Sequence, residues 1–178
     1  KNLRLGESYR PEKVQTYLDW SKDHGFTQAV EMCSGQGVCR KLGEGIMCPS
    51  YMATKNEMDT TRARANVLRA LVSGNLPKDA ITSEEMHEVF DLCLSCKACK
   101  SECPSSVDAA KMKLEFLAHY HAKHGFSIRD RLFGYAHEVS RYTSAISSIS
   151  NCAINSKLSK QFLSKLGVHP EREPLLLS

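Results

Sequence analysis

Apolar side chains recur at three- and four-residue steps along most of the chain. This spacing places them on one face of an α-helix, and no stretch shows the two-residue alternation of a half-buried strand. The predicted helices cover residues 12–24, a short turn after Pro49, 61–72, 84–93, 107–124, a segment from Ser127 through Val139, 140–150, and 157–166. The sequence therefore predicts an all-α fold, in which Trp20 packs in the core.

Residues that cap helices stand before three of these segments. They are Asp59 or Thr60, the capping box Thr82–Glu85, and the pair Ser105 and Ser106. The helix predicted at 61–72 also carries three arginines: Arg62, Arg64 and Arg69. We expect these arginines to form a solvated face. The alternative is that they offset the charge of a bound anionic group or dock a partner.

Seven of the eight cysteines fall into two groups. The downstream run, residues 93–104, has the spacing C-x2-C-x2-C-x3-C-P. Three thiols spaced in this way on a tight turn can hold three corners of an iron–sulfur cube. The fourth Cys, before Pro, ligates the other cluster in proteins that hold two. One such run therefore predicts a second group of cysteines elsewhere in the chain.

The upstream run, residues 33–49, follows the same template with one thiol missing. Cys33 takes the first position and Cys39 the third, and Cys48 before Pro49 takes the fourth after a longer loop. The second position falls on Gln36, which has no thiolate.

Crossed pairing divides the seven cysteines into two sets of ligands. The first set supplies four thiolates, enough for a [4Fe–4S] cluster: Cys48, Cys93, Cys96 and Cys99. The second set supplies three: Cys33, Cys39 and Cys103. A cube with three protein ligands tends to lose its fourth iron, so we expect a [3Fe–4S] cluster there. The alternative is a second [4Fe–4S] cluster whose fourth iron carries water or the amide oxygen of Gln36.

Four other residues of the two runs are candidates for contact with the cofactors. Gly35 and Gly37 allow the backbone to wrap closely around a cluster and to point N–H groups at its sulfurs. Lys97 and Lys100 flank the thiolates, where positive charge favours reduction of an anionic cluster. Ordinary solvated lysines are the alternative.

Two other interpretations of the cysteines fit the spacing less well. Zinc held by four thiolates needs two C-x2-C knuckles, and it leaves no role for a third evenly spaced Cys or for two Cys-Pro steps. Disulfides are disfavoured because the N-terminus does not resemble a signal peptide and cysteines two residues apart suit metal ligation. Cys152 belongs to neither run, and we expect it to be a small buried apolar residue.

The 178 residues suit one domain, or one domain with a trailing arm. We expect an N-terminal segment and helix at 1–25, a two-cluster domain at 26–125, and a C-terminal helical extension and arm at 126–178. The chain starts at Lys1 without an initiator Met, so either its start was trimmed or it is part of a longer polypeptide.

Composition limits the partners and the location. The net charge of +4, from 24 Lys and Arg against 20 Asp and Glu, is too small to indicate nucleic-acid binding. No apolar run approaches the length of a transmembrane helix. Cysteines used as thiolates indicate a reducing compartment, so we expect a cytoplasmic location, with any membrane association made through a partner.

The two runs and the helical connection between them resemble the α-helical ferredoxin domain. This domain occurs in the iron–sulfur subunits of succinate dehydrogenase and glycolate oxidase and in heterodisulfide-reductase-type subunits. The C-x5-C…C-P form of the upstream run is similar to the three-cysteine [3Fe–4S] half of succinate dehydrogenase. There, however, the order of the halves is reversed and the loop before Cys-Pro is shorter.

A second resemblance covers nearly the whole chain. Residues 47–54, 61–66 and 91–105 look like the C-terminal iron–sulfur part of fused FAD-linked dehydrogenases of the D-lactate and D-2-hydroxyglutarate type. In that family an FAD-binding portion precedes the iron–sulfur part. The resemblance implies an electron-transfer module whose FAD and substrate chemistry lie on a portion outside this chain.

We therefore expect a redox relay with no catalytic residue of its own. Electrons from a D-2-hydroxy acid would reach FAD on the dehydrogenase portion, then the two clusters, and then an acceptor protein or a quinone. One alternative is a scaffold in which clusters or zinc only staple helices and bind a partner. The other is catalysis at an open iron beside Gln36, as in hydratases, although no acid–base pair stands near the motifs.

Overall fold

The computed structural model describes residues 6–7, 9–43, 45–144, 151–152, 156–165 and 167. Within these ranges all regular structure is helical and no strand occurs, which confirms the predicted fold class. The chain forms two compact units, Lys1–Gly125 and Phe126–Ser178. In the described ranges no helix has both the length and the apolar character needed to span a membrane.

Among its described residues, the first unit has six α-helices and four short 3₁₀ turns. In chain order the α-helices are α1 (Phe26–Glu31), α2 (Pro49–Thr54), α3 (Thr61–Val72), α4 (Glu84–Asp91), α5 (Ala98–Glu102) and α6 (Ala109–His124). The 3₁₀ turns are Ser21–Asp23, Val38–Arg40, Glu57–Asp59 and Lys78–Thr82. The helix at 61–72 is confirmed, whereas the segment that delivers the chain to Cys33 is itself a helix, α1.

Helix α3 is the centre of the first unit. Thr60 caps it, because the Thr60 hydroxyl accepts from the N–H of Ala63 at 2.9 Å. Its apolar face is fully buried through Ala65 and Leu68, and it contacts α1, α4 and α6. Burial of this face against three helices is the main apolar contribution to the stability of the unit.

Helices α4 and α6 complete the core on the other side. Phe90 of α4 stacks on Phe116 of α6 with ring centroids 5.0 Å apart. Ser83 caps α4 by accepting from the N–H of Met86, so the cap lies within the predicted box Thr82–Glu85 but one residue after Thr82. The prediction for α6 was wrong by two residues, since the helix starts at Ala109 and Asp108 caps it in place of the two serines.

The predicted helix at 12–24 does not form. The segment has no regular structure before the 3₁₀ turn Ser21–Asp23, because several of its backbone donors bond to other parts of the fold. Glu12 N–H donates to the carbonyl of Val72 at 2.7 Å. The N–H groups of Tyr17 and Leu18 donate to the carboxylate of Glu115 at 2.7 and 3.0 Å.

Glu115 explains why this arrangement prevails over a local helix. Its side chain is fully buried and also accepts from the indole N–H of Trp20 at 2.9 Å. A buried carboxylate needs several donors to offset its desolvation, and the N-terminal segment supplies them. Trp20 is buried against Phe26, so its predicted place in the core is confirmed.

The second unit contains α7 (Ile128–Gly134), α8 (Ala136–Ser144) and α9 (Lys157–Lys165). The predicted start at Ser127 is confirmed by a capping box in which Ser127 and Asp130 bond to each other's backbone N–H. Cys152 is exposed, so the prediction of a buried residue was wrong. Most of the helix predicted at 140–150, and the arm beyond residue 168, lie outside the described residues.

Candidate iron–sulfur sites

The loops at the start of the two cysteine runs, residues 33–39 and 93–99, have left-handed residues at the same two positions. In the upstream run, Gly35 and Gly37 have φ angles of 80° and 76° and flank Gln36. In the downstream run, the equivalent residues Ser95 and Lys97 have φ angles of 53° and 60°. Left-handed φ is costly for residues other than glycine, so its recurrence at Ser95 and Lys97 marks a conformation that the fold imposes.

This match extends to the helices around each loop. The upstream loop, residues 33–39, follows α1 and enters a 3₁₀ turn, and the downstream loop, residues 93–99, follows α4 and enters α5. Residue by residue, Gln36 stands at the position that Cys96 occupies in the downstream loop. The sequence template that placed Gln36 at the second ligand position therefore corresponds to a repeat in three dimensions.

Each loop is also held by a buried or half-buried cation at its first cysteine. Arg69 donates to the carbonyl of Cys33 at 2.7 Å and to that of Glu31 at 3.0 Å. Lys113 donates to the carbonyl of Cys93 at 2.7 Å and to the carbonyl two residues earlier at 3.2 Å. The same two carbonyls of each loop are thus bound by one cationic side chain from another part of the fold.

Three thiols line an upstream cavity of about 300 Å³, a volume that includes its solvent-open part. They belong to Cys33, Cys39 and Cys103. The loop residues Gly35, Gln36 and Gly37 line the same cavity, with Arg62 on the opposite wall. Gln36 is exposed, as is Cys96 at the equivalent position of the downstream loop.

Four thiols line a downstream cavity of the same size, about 300 Å³. They belong to Cys48, Cys93, Cys96 and Cys99. The structure therefore brings together the two sets of cysteines on which crossed pairing depends. Cys48 lies with the downstream loop and Cys103 with the upstream loop. All eight cysteines of the chain are free thiols.

Helix N-termini supply donors and positive electrostatic potential at both cavities. Thr61, the first residue of α3, lines both of them and forms a shared wall. The backbone N–H of Arg62 is directed at Cys39, and the N–H groups of Ala109 and Ala110 at the start of α6 are directed at Cys99. The amide donors and the helix dipole favour an anionic group at each place.

Burial of the thiols has the opposite effect on their pKa from these N–H donors. It is the largest influence on the thiols of Cys39 and Cys99 and raises the pKa of each, while the neighbouring N–H groups lower it. Two thiols buried among amide donors are poor thiolates by themselves. They become good ligands once a metal offsets their negative charge.

The arginines of α3 do not form the predicted solvated face. Arg64 and Arg69 are only 2% and 6% exposed, and Arg62 alone is partly exposed, in an ion pair with Glu57. Backbone carbonyls explain the burial. Arg64 donates to the carbonyls of Val89 and Asp59, and Arg69 to those of the upstream loop. Carbonyl acceptors at loop ends satisfy the guanidinium donors in place of water.

Lys97 and Lys100 are both exposed beside the downstream loop. Lys100 Nζ lies 3.4 Å from a carboxylate oxygen of Asp108, which also caps α6. The sequence analysis did not identify Lys113 as a residue of this site. Burial lowers the pKa of its ammonium group, which is directed at the carbonyl of Cys93. No sequence signal distinguishes Lys113 from the other lysines of its helix.

Glu102 is a second residue that the sequence does not single out. Its carboxylate accepts from the N–H groups of Ile46 and Met47 at 2.7 and 3.2 Å, and pairs with Lys41 at 2.8 Å. The hydrogen bond from Lys41 holds the pKa of this carboxyl below its usual range. Glu102 thus ties the end of α5 to the segment before Cys48, which carries Cys48 across to the downstream loop.

The part of the chain that contains both cavities matches a known family. Residues 27–108 fit the family model described as the 4Fe–4S dicluster domain. The match runs from α1 to the cap of α6 and includes all seven cysteines of the two runs. The cofactors of this domain are iron–sulfur clusters, and its role is electron transfer.

The residues present fit such cofactors. Cysteine thiolates are the usual ligands of iron–sulfur clusters, and each cavity of the dicluster domain is lined by a separate set of them. Helix N-termini direct amide N–H groups toward Cys39 and Cys99, and such donors stabilise a sulfur-rich anionic cofactor. The downstream cavity has four thiols for a complete cube, and the upstream cavity has three.

Several curated proteins are similar to this chain. D-2-hydroxyglutarate dehydrogenase of Pseudomonas putida is 26% identical over 176 residues, covering 80% of this chain and 17% of that protein. The Escherichia coli D-2-hydroxyglutarate dehydrogenase is 25% identical over 135 residues, covering 56% of this chain and 13% of its own. The probable glycolate oxidase iron–sulfur subunit of Bacillus subtilis is 29% identical over 85 residues, which cover 46% of this chain and 18% of that protein.

The chain thus spans less than a fifth of the length of the relatives that it matches. No solved structure matches it.

Proposed function

We propose that this chain is the electron-transfer part of an FAD-linked dehydrogenase that oxidises a D-2-hydroxy acid. Its two clusters would pass electrons from a flavin-bearing portion to a downstream acceptor, either a protein or a quinone. The observation that carries the proposal is the pair of cysteine-lined cavities with a common wall at Thr61, inside a dicluster domain whose relatives are D-2-hydroxyglutarate dehydrogenases.

In this proposal Cys48, Cys93, Cys96 and Cys99 hold a [4Fe–4S] cluster in the downstream cavity. The other set, Cys33, Cys39 and Cys103, holds a cluster in the upstream cavity. That cluster is [3Fe–4S], because Gln36 stands where the fourth thiolate would be. The alternative is a [4Fe–4S] cluster whose fourth iron binds water or the Gln36 amide oxygen.

The other residues have supporting roles. Iron–sulfur clusters supply single-electron transfer without the making or breaking of bonds to the protein. Gly35 and Gly37 let the upstream backbone approach closely, and Lys97 and Lys100 place positive charge near the downstream thiolates. No residue of this chain is assigned to acid–base chemistry. Thiolate ligation fits a reducing compartment, so the proposed location is cytoplasmic, with any membrane contact made through a partner.

A rapid-mixing experiment on the full-length polypeptide, with its FAD portion, tests the relay. D-2-hydroxy acids are added anaerobically, and flavin absorbance and cluster EPR signals are followed together. The relay predicts that flavin reduction is followed by cluster reduction, and that Cys48→Ser leaves flavin reduction intact but stops electron delivery to the acceptor. Clusters that keep one oxidation state throughout turnover would refute the relay and favour a scaffold.

A further inference from the structure

Arg64 is a buried cation on the wall of the downstream cavity. Each part of its guanidinium has a partner: Nε donates to the carbonyl of Val89 at 3.0 Å, Nη1 to the carbonyl of Asp59 at 2.7 Å, and Nη2 to the hydroxyl of Ser50 at 3.2 Å. Nη1 also lies 3.6 Å from Sγ of Cys48. These contacts fix the guanidinium against one cysteine of the four-thiol set.

The carboxylate of Asp59 is the counter-ion nearest to this guanidinium among the described residues. It is 2% exposed, and its Oδ2 accepts from the hydroxyl of Thr54 at 2.6 Å. Its Oδ1 is buried without a hydrogen-bond partner among the described residues and lies 4.0 Å from Nη2 of Arg64. The guanidinium is therefore nearer to the sulfur of Cys48 than to its own counter-ion.

We propose that Arg64 and Asp59 set the reduction potential of the downstream centre, Arg64 raising it and Asp59 lowering it. One electron added to that centre adds one negative charge, while no proton moves and no bond forms or breaks. A fixed positive charge beside a ligand sulfur stabilises the reduced form, and a fixed negative charge destabilises it. The inference rests on the proposed function only for the assignment of Cys48 as a ligand.

Burial is what gives these two charges a large effect. Water screens the partly exposed pair of Arg62 and Glu57 at the upstream cavity, where the guanidinium bonds to the carboxylate at 2.6 and 2.8 Å. Arg64 and Asp59 are nearly inaccessible to solvent, and Arg64 donates to the backbone carbonyl of Asp59, not to its carboxylate, which lies 4.0 Å away. Each charge is therefore little screened by water, and the two are tested by separate substitutions.

The test is an anaerobic redox titration of the 178-residue chain with dithionite as electron donor, followed by EPR. Arg64→Gln should lower the reduction potential of the downstream centre by about 59 mV. For one electron this corresponds to a change of about tenfold in the equilibrium constant for reduction. Asp59→Asn, nearly the same shape, should shift it in the opposite direction. Arg64→Lys keeps the positive charge but loses the planar guanidinium, so it should lower the reduction potential less than Arg64→Gln does.

Arg69→Lys is the matched control, because Arg69 is also buried on α3 but donates to the carbonyl of Cys33 in the upstream loop. It should leave the downstream potential unchanged. If Arg64→Gln does not fold, Arg64→Lys and Asp59→Asn decide the question. Unchanged potentials in both of these variants, with full iron content, would overturn the inference while leaving the relay intact.

Cys48→Ser separates the two claims. The proposal expects this substitution to alter or abolish the downstream EPR signal. An unaltered signal would refute the ligand assignment, and with it the role given to Arg64.

Discussion

The upstream and downstream loops are two copies of one backbone with different side chains. Both have left-handed residues at the third and fifth positions, and in both a cation holds the carbonyl of the first cysteine. They differ at the second ligand position, which is Gln36 in one loop and Cys96 in the other. The fold thus maintains the loop whether it carries two thiols or three, and the side chain at one position makes the difference.

The most disruptive test of this comparison makes the downstream loop like the upstream one. Cys96→Gln should remove one iron from the downstream centre and convert it to a [3Fe–4S] cluster, because three thiolates then remain. Iron analysis and EPR of anaerobic protein would show the change. Cys152→Ser is the control, since Cys152 is exposed and belongs to neither run. An unchanged iron content in Cys96→Gln would show that Cys96 is not a ligand.

The cations that hold the two loops should act separately. Arg69→Met leaves two carbonyls of the upstream loop without a charged donor, and Lys113→Met does the same downstream. Loss of such bonds costs about 1–3 kcal/mol. Each substitution should therefore speed the loss of the cluster on its own side, measured as the decay of each EPR signal in air. Equal decay of both signals in either variant would contradict the separation.

Substitution of the left-handed residue at the third loop position should lower stability in the upstream loop only, where that residue is a glycine. Outside Gly35 and its two chain neighbours, no described atom lies within 4 Å of the position where a Cβ at Gly35 would stand, so in the cluster-free chain Gly35→Ala costs only its left-handed φ. That cost is about 1 kcal/mol. Ser95 at the equivalent position already has a Cβ, so Ser95→Ala should change the free energy of unfolding by only about a few tenths of a kcal/mol. Denaturant unfolding measures both, and equal costs would argue against the matched backbones.

The smallest expected effect is that of the exposed lysines of the downstream loop. Lys97→Gln and Lys100→Gln should lower the downstream potential slightly, because exposed charges are screened. Redox titrations at low salt and at about 1 M salt test this, because the Debye length falls to about 3 Å at the higher salt concentration. A shift that persists at high salt would indicate a more direct role.

Local signals made much of the fold predictable. The 61–72 helix followed from the Thr60 cap and its apolar period, both contained within a dozen residues. The grouping of the cysteines followed from spacing, because two residues between thiols fix the size of a loop and Cys-Pro marks its exit. These features depend little on the remainder of the chain.

Two of the errors came from contacts between distant residues. The 12–24 segment has a helical period, but Glu115 is almost a hundred positions away and binds its backbone donors in an extended form. Arg64 and Arg69 lie on a helix that has the pattern of a surface helix. They are buried because the fold brings loop carbonyls to them. Sequence periodicity carries no information about where such acceptors will lie.

The most direct test is the iron and acid-labile sulfide content of the anaerobic wild-type chain and of Gln36→Cys, with EPR of both oxidised samples. The account predicts about seven iron and a [3Fe–4S] signal in the wild type, and about eight iron with that signal lost in Gln36→Cys. About eight iron in both proteins and no [3Fe–4S] signal in either would contradict it, because position 36 would then not determine the composition of the upstream centre.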